Sequence, residues 1–398
     1  MVQGTGLTHA LTHASGFEGP AALTPETAVA VPKVLLHDHL DGGVRPTTVI
    51  ELADHIGWLL PSTDPDELQA WFTRGADTND ILQYLATFEH TLAVMQTADA
   101  LGRIAAEAVH DLAADGVVYA EIRFAPALHT TGRLALDEVV AAVTDGFRRG
   151  EEAARAAGRA IVVNAICCAM RTDTDSLEIA QLVDRLRRTD PKVVAFDLAG
   201  AETGWPPSLH AEALAFARAR HLNITIHASE PPDLELISDA LAHGAHRIGH
   251  GVRLLADTSL ARRASGRSSS SDDQSGESAG DLRLGPLAQH VLDRGVHLEM
   301  APTCNVQIGA VEEVGAHPIG PFLRAGFSVG INTDNRLMSH VMPSSELLAV
   351  ADAFELTWSE VRALTGHALD ASFAPYAERQ RIARDVVEPG FAALVDAG

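Results

Sequence analysis

Two histidines one residue apart, His37 and His39, close a short apolar run that begins at Lys33. In an extended strand residues i and i+2 face the same side, so the pair can present two imidazoles to one ion while Asp38 points away. A His-x-His pair alone is weak evidence for a metal. Further candidates, however, close three other apolar runs: His227 with Glu230 just beyond it, His250, and Asp334 followed by Asn335. Imidazoles plus a carboxylate suit Zn²⁺, with one position left open for water in a catalytic site; on ligand type alone iron, cobalt and manganese also fit. A divalent ion lowers the pKa of bound water from about 16 to about 7, which makes hydroxide available near neutral pH. Glu230, at a strand-to-helix turn, could then pass a proton to a substrate. Its plainer reading is a carboxylate stabilised by a helix N-terminus.

These residues need elements that bring four distant segments to one place. Eight short apolar runs alternate with Ala/Leu/Arg-rich stretches of helical spacing. The runs are Lys33–His39, Val117–Phe124, Ile161–Ala169, Val193–Gly200, Ile224–Glu230, Arg247–Gly251, His297–Thr303 and Phe327–Asp334. Strand then helix, eight times over, predicts an α/β fold of the (β/α)₈ TIM-barrel class, whose active sites lie where the strands end. A doubly wound open sheet is the competitor, but its Gly-rich phosphate turn is missing after the first run, where His37-Asp38-His39 stands instead.

A minimal barrel takes about 250 residues, so this chain of 398 carries roughly 150 more. Part of the surplus lies after the first strand, where Ile81, Tyr84, Leu85 and Phe88 share one helical face. They could be core residues of an extra helix or a lid over a site. Residues 264–281, after the sixth strand, contain Ser268–Ser271 and little that could pack, so this insertion reads as a disordered loop. Residues 1–30 read as a poorly ordered N-terminal extension and 31–398 as a single domain.

The 30 Lys+Arg against 53 Asp+Glu give a net charge of -23, which argues against nucleic acid or an anionic membrane as a partner. Nothing in the sequence implies a protein partner. Three cysteines, two of them adjacent, cannot form a disulfide framework. With no signal-peptide-like start and no apolar stretch of about 18 residues, a soluble cytoplasmic protein is expected. The lysines number two, Lys33 and Lys192, and each opens a predicted strand. Both therefore belong at the far face of the barrel, away from the strand ends where a lysine-bridged metal pair or a Schiff base would form. A single-metal site follows.

With these residues in view the chain resembles the adenosine deaminase family of metal-dependent amidohydrolases over nearly all of Val31–Val386. Five ordered motifs carry the likeness: Lys33–Gly43, Asp197–Gly200, His227–Glu230, His246–Gly251 and Asn332–Asp334. The resemblance implies one Zn²⁺ per chain on His37, His39, His227 and Asp334, with His250 orienting or deprotonating the water. It implies that Glu230 gives a proton to N1 of a purine nucleoside, and that adenosine or 2′-deoxyadenosine is hydrolysed to inosine or 2′-deoxyinosine plus ammonia in purine salvage. His39 and Asp41 would contact the ribose end, Gly200 the purine edge, and Ile81, Tyr84, Leu85 and Phe88 would form the lid. Three positions depart from the family: Asn335 replaces a second aspartate that donates to N7, which an amide NH₂ can also do; Ser229 replaces a glycine; Cys304 replaces a serine. Two other readings stay in play, a deaminase of another 6-aminopurine such as adenine or a modified adenine nucleoside, and a non-catalytic metal-binding barrel. Asp41 favours a nucleoside over the free base.

Overall fold

The computed structural model describes residues 23–260 and 282–396. Eight parallel strands form one sheet in chain order: β1 (Lys33–His39), β2 (Val117–Phe124), β3 (Val162–Met170), β4 (Val193–Ala199), β5 (Asn223–Ala228), β6 (Arg247–His250), β7 (His297–Met300) and β8 (Val329–Ile331). A parallel bridge between Asp38 and Asp334 closes the sheet. There the His39 N–H donates to the Asp334 carbonyl at 2.7 Å and the Asp334 N–H donates to the His37 carbonyl at 3.0 Å. The expected (β/α)₈ barrel is therefore the fold, and every crossover carries helix, as parallel strands require. A short antiparallel ribbon, Thr258–Leu260 with Leu282–Leu284, brackets the insertion after β6; residues 264–281 themselves lie outside the described residues.

Strand residues such as Leu35, Ile122, Phe124, Val163 and Phe196 are fully or almost fully buried, as expected of a parallel sheet covered on its outer face by helices. Lower in the barrel the interior is ionic. Arg123 contacts Asp197 at 2.8 Å and Glu299 at 2.6 Å, and Arg247 contacts Glu121 at 2.7 Å and Glu299 at 2.5 Å. Charges this deeply buried persist only when paired, and removing one partner strands the other.

The N-terminal region departs from expectation. Residues 25–30 form a helix, α1 (Pro25–Ala30), with a Thr24 capping box, so the ordered body begins before residue 31. Residues 1–22 lie outside the described residues. Lys33 closes the other end of α1: its Nζ donates to the carbonyls of Ala28 (2.5 Å), Val29 (3.2 Å) and Val31 (2.8 Å). Lys192 donates to Glu151 (2.6 Å) and the Val163 carbonyl (2.8 Å). Both lysines thus fasten the N-terminal side of the barrel, as their positions in the sequence implied.

Between β1 and β2 come five helices: α2 (Pro46–Ile56), α3 (Pro65–Ala76), α4 (Ile81–Ala86), α5 (Glu89–Val94) and α6 (Ala98–Ala114). Asp80 starts α4 by accepting the Leu82 N–H at 2.9 Å. The expected single face from Ile81 to Phe88 is interrupted, since α4 ends at Ala86 in tight turns where Thr87 and Phe88 bond the carbonyls of Tyr84 and Leu85. Among the described residues no helix is long and apolar enough to cross a membrane.

Candidate active site

The period of two along β1 turns His37 and His39 toward the barrel mouth and Asp38 away from it. Asp38 instead accepts from Thr333 Oγ1 at 2.8 Å and Arg336 Nε at 2.9 Å. His227 near the end of β5 and Asp334 beyond β8 complete a cluster with the two β1 histidines, and one ligand atom from each lies within 4.8 Å of all the others. Asp334 Oδ1 is 3.4 Å from His37 Nε2 and 3.3 Å from His39 Nε2, and the Nε2 atoms of His39 and His227 are 3.1 Å apart.

The chemistry of this donor set fits a metal. His37 Nδ1 meets Glu299 Oε2 at 3.0 Å and His227 Nδ1 meets Asp197 Oδ2 at 3.1 Å. A carboxylate accepts, so each Nδ1 carries its proton and each Nε2 directs a lone pair into the cluster, the second-sphere arrangement of metal-binding histidines. His37 Nε2 is buried and has no hydrogen-bond partner. Burial pushes the His37 and His39 imidazoles well below their usual range, which keeps them in the neutral, ligating form.

Glu230 stands beside this cluster with its Oε1 3.4 Å from His250 Nε2. Burial, then the nearby Glu202 and Asp334, raise the Glu230 carboxyl well above the usual carboxylate range, and burial lowers His250 well below its own. Both shifts disfavour the charged forms and so disfavour an ion pair at this contact. The next helix begins only at Glu235, so Glu230 is not a residue stabilised at a helix N-terminus. Its backbone is held by Glu202, which accepts the N–H groups of Ser229 (2.7 Å) and Glu230 (3.3 Å).

The cavity above has a polar floor that includes His39, Asp41, Glu230 and Asn335, and an apolar wall from α4 and the residues after it. Among the described residues no lysine or arginine lines it. Burial raises the Asp41 carboxyl to about 7, and its Oδ1 has no partner. Gly200 has φ 90°, and a Cβ there would lie 2.9 Å from Met170 Cε; only glycine lets the backbone line the cavity in this conformation.

The model of the adenosine deaminase family matches residues 32–389. Adenosine deaminase 1 of Streptomyces coelicolor is 44% identical over 394 residues, covering 98% of this chain and 95% of that protein. The chain belongs to the adenosine deaminase family. Solved structures agree on the fold. An adenine deaminase from Arthrobacter aurescens superposes with a TM-score of 0.75 at 23% identity, covering 92% of this chain and 99% of that one. A Zn-bound amidohydrolase from Burkholderia ambifaria gives 0.75 at 21% identity, covering 96% and 97%.

Within this family frame, the expected ligand, catalytic, substrate and lid residues all border the cavity or the His/Asp cluster: His37, His39, Asp41, Gly200, His227, Glu230, His250, Asp334, Asn335 and the four wall residues Ile81, Tyr84, Leu85 and Phe88. Phe88 reaches the wall from outside α4, through the tight turn at its end. The three departures from the family pattern have visible consequences. Ser229 has φ 74°, a left-handed conformation that costs a non-glycine residue about 1–2 kcal/mol. Cys304 Sγ lies 2.8 Å from Asp334 Oδ2 and burial holds it as a thiol, so it donates as a serine hydroxyl would. Asn335 lines the cavity. The sequence reading assigned no role to Arg123, Asp197, Glu299, Glu202 or Asn305. The available signal was charge at positions inside otherwise apolar strands, which applies to Arg123, Asp197 and Glu299.

Proposed function

We propose that this chain hydrolytically deaminates adenosine and 2′-deoxyadenosine to inosine or 2′-deoxyinosine and ammonia, with one Zn²⁺ held by His37, His39, His227 and Asp334. When bound, the ion would lower the pKa of a water ligand and so supply the nucleophile near neutral pH. The observation that carries the reading is Glu230, a buried carboxyl beside the cluster whose surroundings raise its pKa well above the usual carboxylate range. Addition of oxygen at C6 is eased when N1 receives a proton, and a neutral carboxyl within the cavity can deliver it. His250 Nε2 faces the same space and can bond the incoming oxygen as its charge develops. The Gly200 backbone and the Asn335 amide would meet the purine, and the wall of Ile81, Tyr84, Leu85 and Phe88 would act as a lid that keeps water out.

Two features favour a neutral nucleoside. The unpaired buried oxygen of Asp41 is an acceptor for a ribose hydroxyl, which free adenine lacks. Among the described residues lining the cavity, a 5′-phosphate would meet acidic side chains and no lysine or arginine. The free, buried cysteines Cys167, Cys168 and Cys304 fit a reducing, cytoplasmic setting.

The test is the loss of adenine absorbance with adenosine, 2′-deoxyadenosine, adenine and AMP in parallel. Turnover of the two nucleosides well above adenine and AMP is expected. Turnover of adenine alone would overturn the nucleoside reading, and no turnover of any 6-aminopurine by zinc-replete protein would favour a non-catalytic barrel.

A further inference from the structure

Behind His250 lies a chain of hydrogen bonds that begins at a group with only one possible role. The Ile319 backbone N–H donates to His317 Nδ1 at 3.1 Å. His317 Nδ1 is therefore an acceptor. Burial pushes this imidazole down to about 3, so the ring is neutral and its single proton is on Nε2. That N–H lies 3.1 Å from Asn305 Oδ1 and donates to it. The Asn305 amide is thereby oriented with its NH₂ toward His250 Nδ1, also at 3.1 Å. An amide NH₂ only donates, so His250 Nδ1 must accept. Turning the amide over would set an NH₂ against the His317 N–H, and moving the His250 proton to Nδ1 would set two donors face to face. Asn305, His317 and His250 are all buried, with at most 1% exposed, so solvent does not relieve either mismatch.

We infer that His317 and Asn305 are positioning residues that hold His250 as the Nε2–H tautomer, so that it donates a hydrogen bond to the oxygen entering at C6 and does not act as the base that deprotonates it. This rests on the deaminase reading above and narrows it, because of the two roles the family resemblance allows His250 only the orienting one survives. His317, which immediately precedes Pro318, sets the proton position of a ring two hydrogen bonds away.

Nitrogen-15 NMR of histidine-labelled, zinc-loaded protein reads the tautomer directly, with His250→Asn to assign the signals. In the wild type, His250 is expected to show a protonated Nε2 and an unprotonated Nδ1; a protonated Nδ1 with a bare Nε2 would overturn the inference. In His317→Leu the amide loses its anchor, so His250 should show both tautomers and kcat should fall about 10-fold or more with KM for adenosine little changed. His317→Gln, whose amide can both accept from Ile319 and donate to Asn305, should restore the single tautomer and most of kcat. Wild-type tautomer and kcat in His317→Leu would contradict the relay, as would failure of His317→Gln to restore them in folded protein. The wild-type spectrum needs neither substrate nor a stable variant. A wrong tautomer therefore defeats this inference whatever is turned over, and a failed substrate panel with the expected tautomer defeats only the substrate reading.

Discussion

Glu230 and Glu299 are glutamates buried in the same barrel, one at its mouth and one in the layer below, and their surroundings shift the two carboxyls in opposite directions. Glu299 sits between Arg123 and Arg247, which outweigh burial and hold its carboxyl down at about 2. Among the described residues no lysine or arginine forms an ion pair with Glu230, and burial together with Glu202 and Asp334 outweighs the opposing pull of Arg171 and raises it well above the usual range. Neither residue type nor burial decides the state, since both are shared. The neighbours decide it: a paired lower layer orients His37 and His227 through Glu299 and Asp197, while the acidic upper layer favours the protonated form of Glu230.

The contrast is broken most sharply at its upper member. Glu230→Gln should keep bound zinc yet lose at least about 100-fold in adenosine turnover. Near-parent activity would mean the proton comes from elsewhere. The same variant should be no less stable than the parent at neutral pH, because the unfolded chain gains from ionising Glu230 and the folded one does not.

In the lower layer Arg123→Met leaves Asp197 and Glu299 facing each other without their shared cation. A loss of roughly 3–5 kcal/mol in denaturant unfolding is expected, with weaker zinc retention. A change below about 1 kcal/mol would show that the layer is not held by charge.

Acid should act on the lower layer as well. Because the folded pKa of Glu299, about 2, lies below its ordinary 4.5, its contribution is present above about pH 4.5 and is lost as pH falls toward 2. The group contributes roughly 3 kcal/mol. Thermal unfolding between pH 5 and 3 should show less loss in Glu299→Gln than in the parent, and equal slopes would contradict the assignment.

Two smaller effects sharpen the comparison at the mouth. Asp41→Ala should lower kcat/KM for adenosine by about 10–100-fold while affecting adenine less; equal losses on both would remove Asp41 from ribose recognition. Ser229→Gly should raise stability by about 1 kcal/mol or less, because it relieves a positive φ next to Glu230 while the unfolded chain gains freedom. A loss of stability would mean that the serine side chain is held by something of value.

Much of the barrel was legible because apolar runs of strand length recur with helical stretches between them; β2 falls at its expected bounds. The ends of the later strands were not. The run expected over Phe327–Asp334 is a strand only at Val329–Ile331, because the Asn332 side chain takes the place of the ladder, accepting the N–H groups of Leu36 (2.9 Å) and His37 (3.0 Å). Asp334 then turns into the left-handed region with φ 55°. The residues of the His/Asp cluster were legible because histidine and aspartate at strand ends have a position rule. The residues that set their protonation were not. Arg123 bonds Asp197 and Glu299 across 74 and 176 residues of sequence, and no local pattern reports a pairing at that range. The Ile319–His317–Asn305–His250 chain was hidden for a related reason, since it is defined by which atoms accept and not by residue types.

The most direct test of the account is infrared difference spectroscopy at neutral pH of the zinc-loaded parent against Glu230→Gln and, separately, against Glu299→Gln. The account predicts that the first difference removes the carbonyl stretch of a protonated carboxylic acid and that the second removes only carboxylate bands. A carboxylate band lost on replacing Glu230, with no acid carbonyl, would contradict it.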